Sequence, residues 1–186
     1  MKGLFPTGLV LAVAASAVLA AGQPAQGKSP EEAAKAAVAG KTAEPSKLDP
    51  IKKLAGDWVE IGKDGKPTGK VVSTYRVTAG GSAVEEVLFA GTPHEMITLY
   101  HLDGDDLVLT HYCVAGNQPR MKAEKQTDPA KLVFNCDGGT NMKSENDEHM
   151  HHATLVFKDA NHIQAEWLEY KDGKQVMVAA MDLARK

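Results

Sequence analysis

Histidines are concentrated in one short stretch of the sequence, residues 149–152, which read HMHH. Side chains alternate between the two faces of an extended strand, so His149 and His151 are expected to project the same way. Leu155 and Phe157 share their parity, and both imidazoles therefore face the interior if that apolar pair does. Two imidazoles at this spacing are close enough to bind one metal ion.

A neighbouring segment offers further metal-ligating side chains. His111 and Cys113 share the parity of Leu107 and Leu109, so the same alternation places all four on one face of a strand. Zinc and copper accept imidazole and thiolate ligands. The predicted metal set, for zinc or copper, is therefore the following: His111, Cys113, His149 and His151. Ligation of a haem iron by one of these histidines is a second possibility.

The two cysteines leave two alternatives open. Cys113 and Cys136 are predicted at the same end of the fifth and seventh strands, and an exported protein favours a disulfide. An intervening sixth strand would separate them by roughly 9.5 Å, whereas a disulfide tolerates Cα separations up to about 7 Å. The pair is either bridged, with strand six starting late, or remains as two thiols in a pocket wall.

Polar and aromatic residues also gather at the predicted mouth of a pocket, between residues 110 and 120. Apolar residues at one end of the inferred interior and polar residues at the other are typical of a small-ligand site. Glu85, Glu86 and Glu166 are expected on the solvated outer face, with Glu86 inside only if the third strand shifts by one residue. The predicted ligand-binding residues are His111, Tyr112, Asn117, Gln118, Arg120, His149, His151 and Trp167.

These side chains must be positioned by a sheet, because period-two patterning and turn signals recur from residue 57 onward. Turn residues such as Asp103-Gly104, Asp159-Ala160-Asn161 and Asp172-Gly173 separate the segments. The spacing predicts an all-β, single antiparallel meander barrel of about 8–10 strands, since closure removes exposed sheet edges. The candidate strands are Asp57–Gly62, Lys70–Thr78, Ser82–Phe89, Glu95–Leu102, Asp106–Val114, Arg120–Gln126, Lys131–Asp137, His149–Lys158, His162–Tyr170 and Gln175–Ala184.

The amino-terminal residues have a different composition. Lys2 precedes an uncharged apolar run from Leu9 to Ala20, and small residues follow, as in a secretory signal peptide. We therefore expect a signal peptide over residues 1–21, a disordered or weakly helical linker over 22–47, and the barrel over 48–186. The mature protein is then periplasmic or secreted, with no membrane span after cleavage.

Charge and motifs exclude several functional classes. The net charge is −3 and the basic residues are scattered, whereas a nucleic-acid surface needs a coherent positive stripe. Motifs for a serine nucleophile, a phosphate-binding loop or a helical zinc-protease site are absent from the sequence. No catalytic residues are assigned, and non-catalytic binding is favoured over enzymatic activity.

The first strand carries a family resemblance. Gly56-Asp57-Trp58, preceded by a short helix, resembles the opening of the calycins, the superfamily of lipocalins and fatty-acid-binding proteins, and the carboxyl-terminal part is similar to uncharacterised lipocalin-like exported bacterial proteins. The resemblance implies that Trp58 packs across the closed end of the barrel and that Arg185 covers its indole. It also implies small-molecule binding, without supplying the ligand.

The leading functional prediction is an exported lipocalin-like protein that binds a small apolar or amphipathic molecule in its barrel, as a monomer or weak homodimer. A periplasmic zinc, copper or haem binder is the second interpretation. A barrel enzyme with a histidine base is the third. No cofactor is required by the first.

Overall fold

Ten strands and one short helix make up residues 45–186, the part of the chain that a computed structural model describes. The predicted signal peptide and nearly all of the predicted linker lie outside the described residues. The elements are α1 (Asp49–Lys52), β1 (Gly56–Ile61), β2 (Pro67–Thr78), a 3₁₀ turn (Ala79–Gly81), β3 (Ala83–Leu88), β4 (Met96–Asp103), β5 (Asp106–Tyr112), β6 (Gln118–Ala123), β7 (Lys131–Thr140), β8 (His149–Asp159), β9 (His162–Lys171) and β10 (Lys174–Arg185).

The strands form a closed antiparallel barrel in which each strand pairs with its neighbours in sequence. β10 returns to pair with β1, with Trp58 opposite Arg185. This meander confirms the predicted fold class, and each of the ten candidate strands corresponds to an observed one. Because the sheet closes on itself, it leaves no unpaired edge strand.

The short helix closes one end of the barrel, which we call the helix end. Leu48, Ile51 and Leu54 are buried there in the main hydrophobic core. Leu48 is the capping residue of this helix, and the Asp49 carboxylate accepts a hydrogen bond from the Ser46 amide. Among the described residues, no helix is long and apolar enough to cross a membrane.

Trp58 and Arg185 join the helix end to the barrel wall. The Trp58 side chain is fully buried, and its Nε1 donates a hydrogen bond to the Leu54 carbonyl at 2.8 Å. The Arg185 guanidinium carbon lies 4.5 Å from the centroid of the indole ring. The same guanidinium donates to the carbonyls of Lys53 and Ala55. A cation–π contact and three hydrogen bonds thus fasten the helix to the first and last strands.

A β-bulge in β8 lies within the histidine-rich segment. Met150 pairs with Glu169, but His152 pairs with Leu168, so His151 is the extra, unpaired residue. Strict alternation therefore stops at His151. Met150 packs in the hydrophobic core, and His149 before it is also fully buried. The bulge thus interrupts the unbroken alternation that was predicted from Leu155 to His149.

Candidate functional site

Four polar residues form a continuous row on the inner wall of the barrel. Tyr75 lies opposite Glu86, Glu86 opposite Thr98, and Thr98 opposite His111. All four side chains are buried. We call this row, which crosses β2 to β5, the polar belt. Buried polar groups are costly unless they are hydrogen-bonded, so the belt is where the interior departs from an ordinary apolar core.

The Glu86 carboxyl group is held by hydroxyl donors. Ser73 Oγ and Tyr100 Oη donate to its two oxygens, each at 2.7 Å. The Tyr75 hydroxyl lies beside the same carboxyl group but falls outside hydrogen-bond geometry. Burial raises the pKa of Glu86, although the neighbouring hydroxyls act in the opposite direction. A proton is therefore held here to higher pH than on a solvated glutamate.

His111 and Trp167 face each other across the interior. Their ring centroids are 4.8 Å apart, and His111 Nδ1 is hydrogen-bonded to Thr98 Oγ1 at 2.9 Å. His111 Nε2 and Trp167 Nε1 have no hydrogen-bond partner among the described residues. Burial lowers the pKa of His111 to about 4, so its imidazole is neutral near pH 7. Two buried polar atoms thus remain available to a third group.

Large side chains fill much of the remaining interior. Trp58, Tyr100 and Phe134 are fully buried, and the rings of Tyr100 and Phe134 meet edge to face at 5.9 Å. A cavity of about 620 Å³ lies at the helix end, where core residues Leu107 and Leu132 contribute to its lining. The barrel can hold a ligand, and its packed core limits that ligand to a small one.

Glu86 gives the belt a testable pH signature. Because its native pKa is raised, the stability that it contributes is fully present below the unfolded value of about 4.3 and is lost as pH rises through the native pKa. We expect Glu86→Gln to lose less stability than the wild type between pH 4.5 and 8. Urea denaturation followed by circular dichroism measures this. The control is Glu85→Gln, next to it on the strand and bonded to Arg76. Equal pH slopes for Glu86→Gln and the wild type would contradict the prediction.

A second cluster lies at the opposite end, where the loop 141–148 joins β7 to β8. The ligating atoms of Cys136, His149 and His151 all lie within 4.8 Å of one another. We call these three residues the rim triad. His149 is fully buried, whereas the other two are partly exposed. Thiol and imidazole groups at such distances are suited to binding a transition-metal ion.

The other predicted ligand-binding residues are spread over both sides of the wall. Tyr112 is exposed, and Arg120 forms ion pairs with Asp103 and Asp137. Gln118 Oε1 accepts hydrogen bonds from Thr140 and Asn141. These contacts give Arg120 and Gln118 structural roles between strands. They do not bring either residue to the His111–Trp167 pair.

Asn117 is buried in the turn between β5 and β6. Its Nδ2 donates to the Glu148 carbonyl at 2.7 Å, which ties that turn to the loop before β8. Its Oδ1 has no partner among the described residues. Asn117 therefore lies at the same end of the barrel as the rim triad.

The predicted metal set is rearranged in the structure. His149 and His151 are together, but their third partner is Cys136, whereas the His111 ring contacts Trp167. Cys113 and Cys136 are both free thiols. Leu109 on β5 pairs with Met121 on β6, which pairs with Cys136 on β7, so Cys136 lies at the level of Leu109. Cys113 follows Leu109 by four residues, which is roughly 13 Å along a strand. That offset, added to the intervening strand, keeps the cysteines apart.

The polar belt contains residues that sequence reasoning missed. Glu86 was expected on the outer face but is buried, so that expectation is wrong. It shares parity with Val84 and Leu88, which are also buried. That parity was the available signal, and it was outweighed by the usual cost of burying a carboxylate. The hydroxyl donors on β2 and β4 that make burial possible could not be aligned without the register.

Comparisons with known proteins assign no family. No family model matches the chain, and no curated protein matches it. What the structure establishes is the class: a single ten-stranded, all-antiparallel closed β-barrel with a polar row inside and a thiol–imidazole cluster at one end.

Proposed function

We propose that this protein is an exported, non-catalytic, lipocalin-like barrel that binds a small amphipathic molecule beside the polar belt. The observation that carries the proposal is the contact between the His111 and Trp167 rings, with one unpartnered nitrogen on each ring. A buried polar atom without a partner costs about 1–3 kcal/mol. A ligand that bonds to both nitrogens removes that cost, and this gain supplies binding energy specific to the site.

The donors define the chemical class of the ligand. Trp167 Nε1 can only donate a hydrogen bond, so the ligand must present an acceptor such as a carbonyl, ether or hydroxyl oxygen. The His111 imidazole is neutral near pH 7 because burial lowers its pKa to about 4. It therefore supplies no fixed positive charge to pair with an anion. An uncharged oxygen-bearing head group fits these atoms best.

The surroundings define the rest of the ligand. Leu109 and Met121 pair across β5 and β6 and are buried in the same core, and Ala153 lies directly opposite Trp167. An apolar body packs against such walls through the hydrophobic effect. Leu107 and Leu132, which line part of the cavity at the helix end, add apolar surface on β5 and β7.

A matched pair of small molecules tests the proposal. We expect a medium-chain methyl ketone to stabilise the protein against heat more than an alkane of equal length. Binding to the native state alone raises the melting temperature, and the ketone oxygen adds the hydrogen bond. Trp167→Phe removes the donor but keeps the aromatic ring. It should bind the ketone about tenfold more weakly, since one buried hydrogen bond is worth about 1–1.5 kcal/mol.

The control variant is Tyr112→Phe, which removes the hydroxyl of an exposed aromatic residue and should leave ketone binding unchanged. Native mass spectrometry of gently purified protein looks for a co-purifying molecule in parallel. Equal responses to ketone and alkane, together with unchanged binding in Trp167→Phe, would remove the basis of this proposal.

A further inference from the structure

The hydrogen bonds of the rim triad determine which ring nitrogens of His149 and His151 carry protons. His149 Nδ1 lies 2.6 Å from the Asp147 carbonyl oxygen, which can only accept. Nδ1 therefore carries a proton, and in the neutral ring Nε2 has a free lone pair. This nitrogen lies 2.9 Å from His151 Nδ1, which must then donate. One proton therefore lies between His149 Nε2 and His151 Nδ1, and a metal ion bound by both nitrogens would take its place.

The third donor atom completes a recognisable ligand set. Cys136 Sγ lies within 4.8 Å of the histidine ligating atoms. Around a tetrahedral zinc ion, bond lengths of about 2.0–2.3 Å place ligand atoms roughly 3.5 Å apart. The His149 Nε2–His151 Nδ1 separation of 2.9 Å must therefore open by roughly 0.6 Å, and any separation near 4.8 Å must shorten by roughly 1.3 Å. Small side-chain rotations of the partly exposed Cys136 and His151 can supply that movement, while buried His149 stays fixed.

Neighbouring residues hold His149 in the orientation that binding requires. The Asp147 side chain accepts a hydrogen bond from the Lys143 amide, and Asn117 secures the adjacent Glu148 carbonyl. These two hydrogen bonds fix the loop at Asp147 and at Glu148. Carbonyl partners of this kind fix the tautomer of metal-binding histidines and orient the ring.

His151 is positioned from its other side. Its ring stacks on Tyr170 at a centroid distance of 4.6 Å, and His152 meets it edge-on at 4.7 Å. His152 itself is bonded to Asn135 through Nδ1, which leaves it outside the triad. The bulge at His151 brings these rings together, because two successive residues of β8 oppose one position of β9.

We propose that the rim triad binds one transition-metal ion of the zinc and copper class, through Cys136 Sγ, His149 Nε2 and His151 Nδ1. The fourth coordination position remains for water or an external ligand. On binding, the Cys136 S–H bond breaks and its proton passes to solvent, while the His151 proton moves from Nδ1 to Nε2. No electron transfer is involved. This site is separate from the ligand position proposed at the polar belt.

Protein prepared without a histidine tag tests the site with Zn²⁺ and Co²⁺ as probes. We expect one ion per chain by calorimetry, and a thiolate-to-cobalt charge-transfer band in the absorption spectrum. Cys136→Ser should abolish the band and weaken Zn²⁺ binding at least about 100-fold, since changes to residues that only orient the metal ligands already cost about 10- to 100-fold. His151→Gln should weaken Zn²⁺ binding similarly. Both positions are partly exposed, so these variants should fold.

Matched controls come from the same strand and the other thiol. Cys113→Ser and His152→Gln should retain the cobalt band and bind Zn²⁺ within about threefold of the wild type. Trp167→Phe, which tests the polar belt, should also retain metal binding, so failure of either proposal is recognised independently. Wild-type affinity in Cys136→Ser, or equal loss in Cys113→Ser, would overturn the assignment of the triad.

Discussion

Replacing Trp58 with alanine is expected to lower the free energy of unfolding by about 4 kcal/mol, because a fully buried large aromatic side chain costs about 3–5 kcal/mol to remove. The indole is completely buried and donates to the Leu54 carbonyl, which would lose its partner. Arg185 would also lose the ring beneath its guanidinium group. The loss thus combines a cavity, an unsatisfied carbonyl and a broken cation–π contact.

Urea denaturation followed by circular dichroism measures this effect without relying on tryptophan fluorescence. Trp58→Phe is the matched variant: it keeps an aromatic ring but loses the Nε1 donor, so its loss should be clearly smaller than that of Trp58→Ala. Tyr112→Ala, at an exposed aromatic position, controls for general effects of truncation. A loss below about 1 kcal/mol in Trp58→Ala would show that the indole does not anchor the helix end.

The strand order was predictable because the turns have clear sequence signatures. Asp172 and Gly173, for example, both adopt positive φ, the backbone that a tight hairpin of this type requires and that Asp-Gly readily adopts. Ten such segments with short connections leave few topologies other than a meander. The fold therefore followed from local chemistry and the need to pair every strand.

The site was less predictable because it depends on register and on one bulge. Alternation alone extended the face of Leu155 through His149, but the extra residue at His151 redirects the strand. The partnership of Cys136 with His149 and His151 likewise joins residues from two strands whose pairing ends before the loop 141–148. A single inserted position in a strand leaves no signature in period-two patterning.

Glu86 illustrates a different limit. Its burial is possible because Ser73 and Tyr100 supply hydroxyl donors from the two flanking strands. Each donor is unremarkable in its own strand, and only the pairing of β2 and β4 on either side of β3 brings them to the carboxyl group. Polar networks inside barrels are properties of several strands together, whereas sequence patterns describe one strand at a time.

Acidification is expected to cost the protein about 3 kcal/mol of stability through His111 alone. Burial lowers the native pKa of His111 to about 4, whereas the unfolded chain binds this proton near pH 6.5. The contribution of His111 to stability is therefore fully present above about pH 6.5 and is lost as the pH falls from about 6.5 towards 4. Each pKa unit corresponds to 1.36 kcal/mol.

Glu86 acts in the opposite direction as pH changes, because burial raises its pKa. The measurement must therefore compare the wild type with His111→Gln, which stays neutral and leaves Glu86 in place. Thr98 lies between the two groups in the belt. Glu86 consequently contributes nearly equally to both proteins, and their difference isolates His111.

We expect the stability of the wild type relative to His111→Gln to fall by about 3 kcal/mol between pH 7 and pH 4, in urea denaturation at constant ionic strength. His94→Gln, which replaces an exposed histidine, should follow the wild type throughout. A constant difference between wild type and His111→Gln would mean that water or a ligand reaches the imidazole in the native barrel.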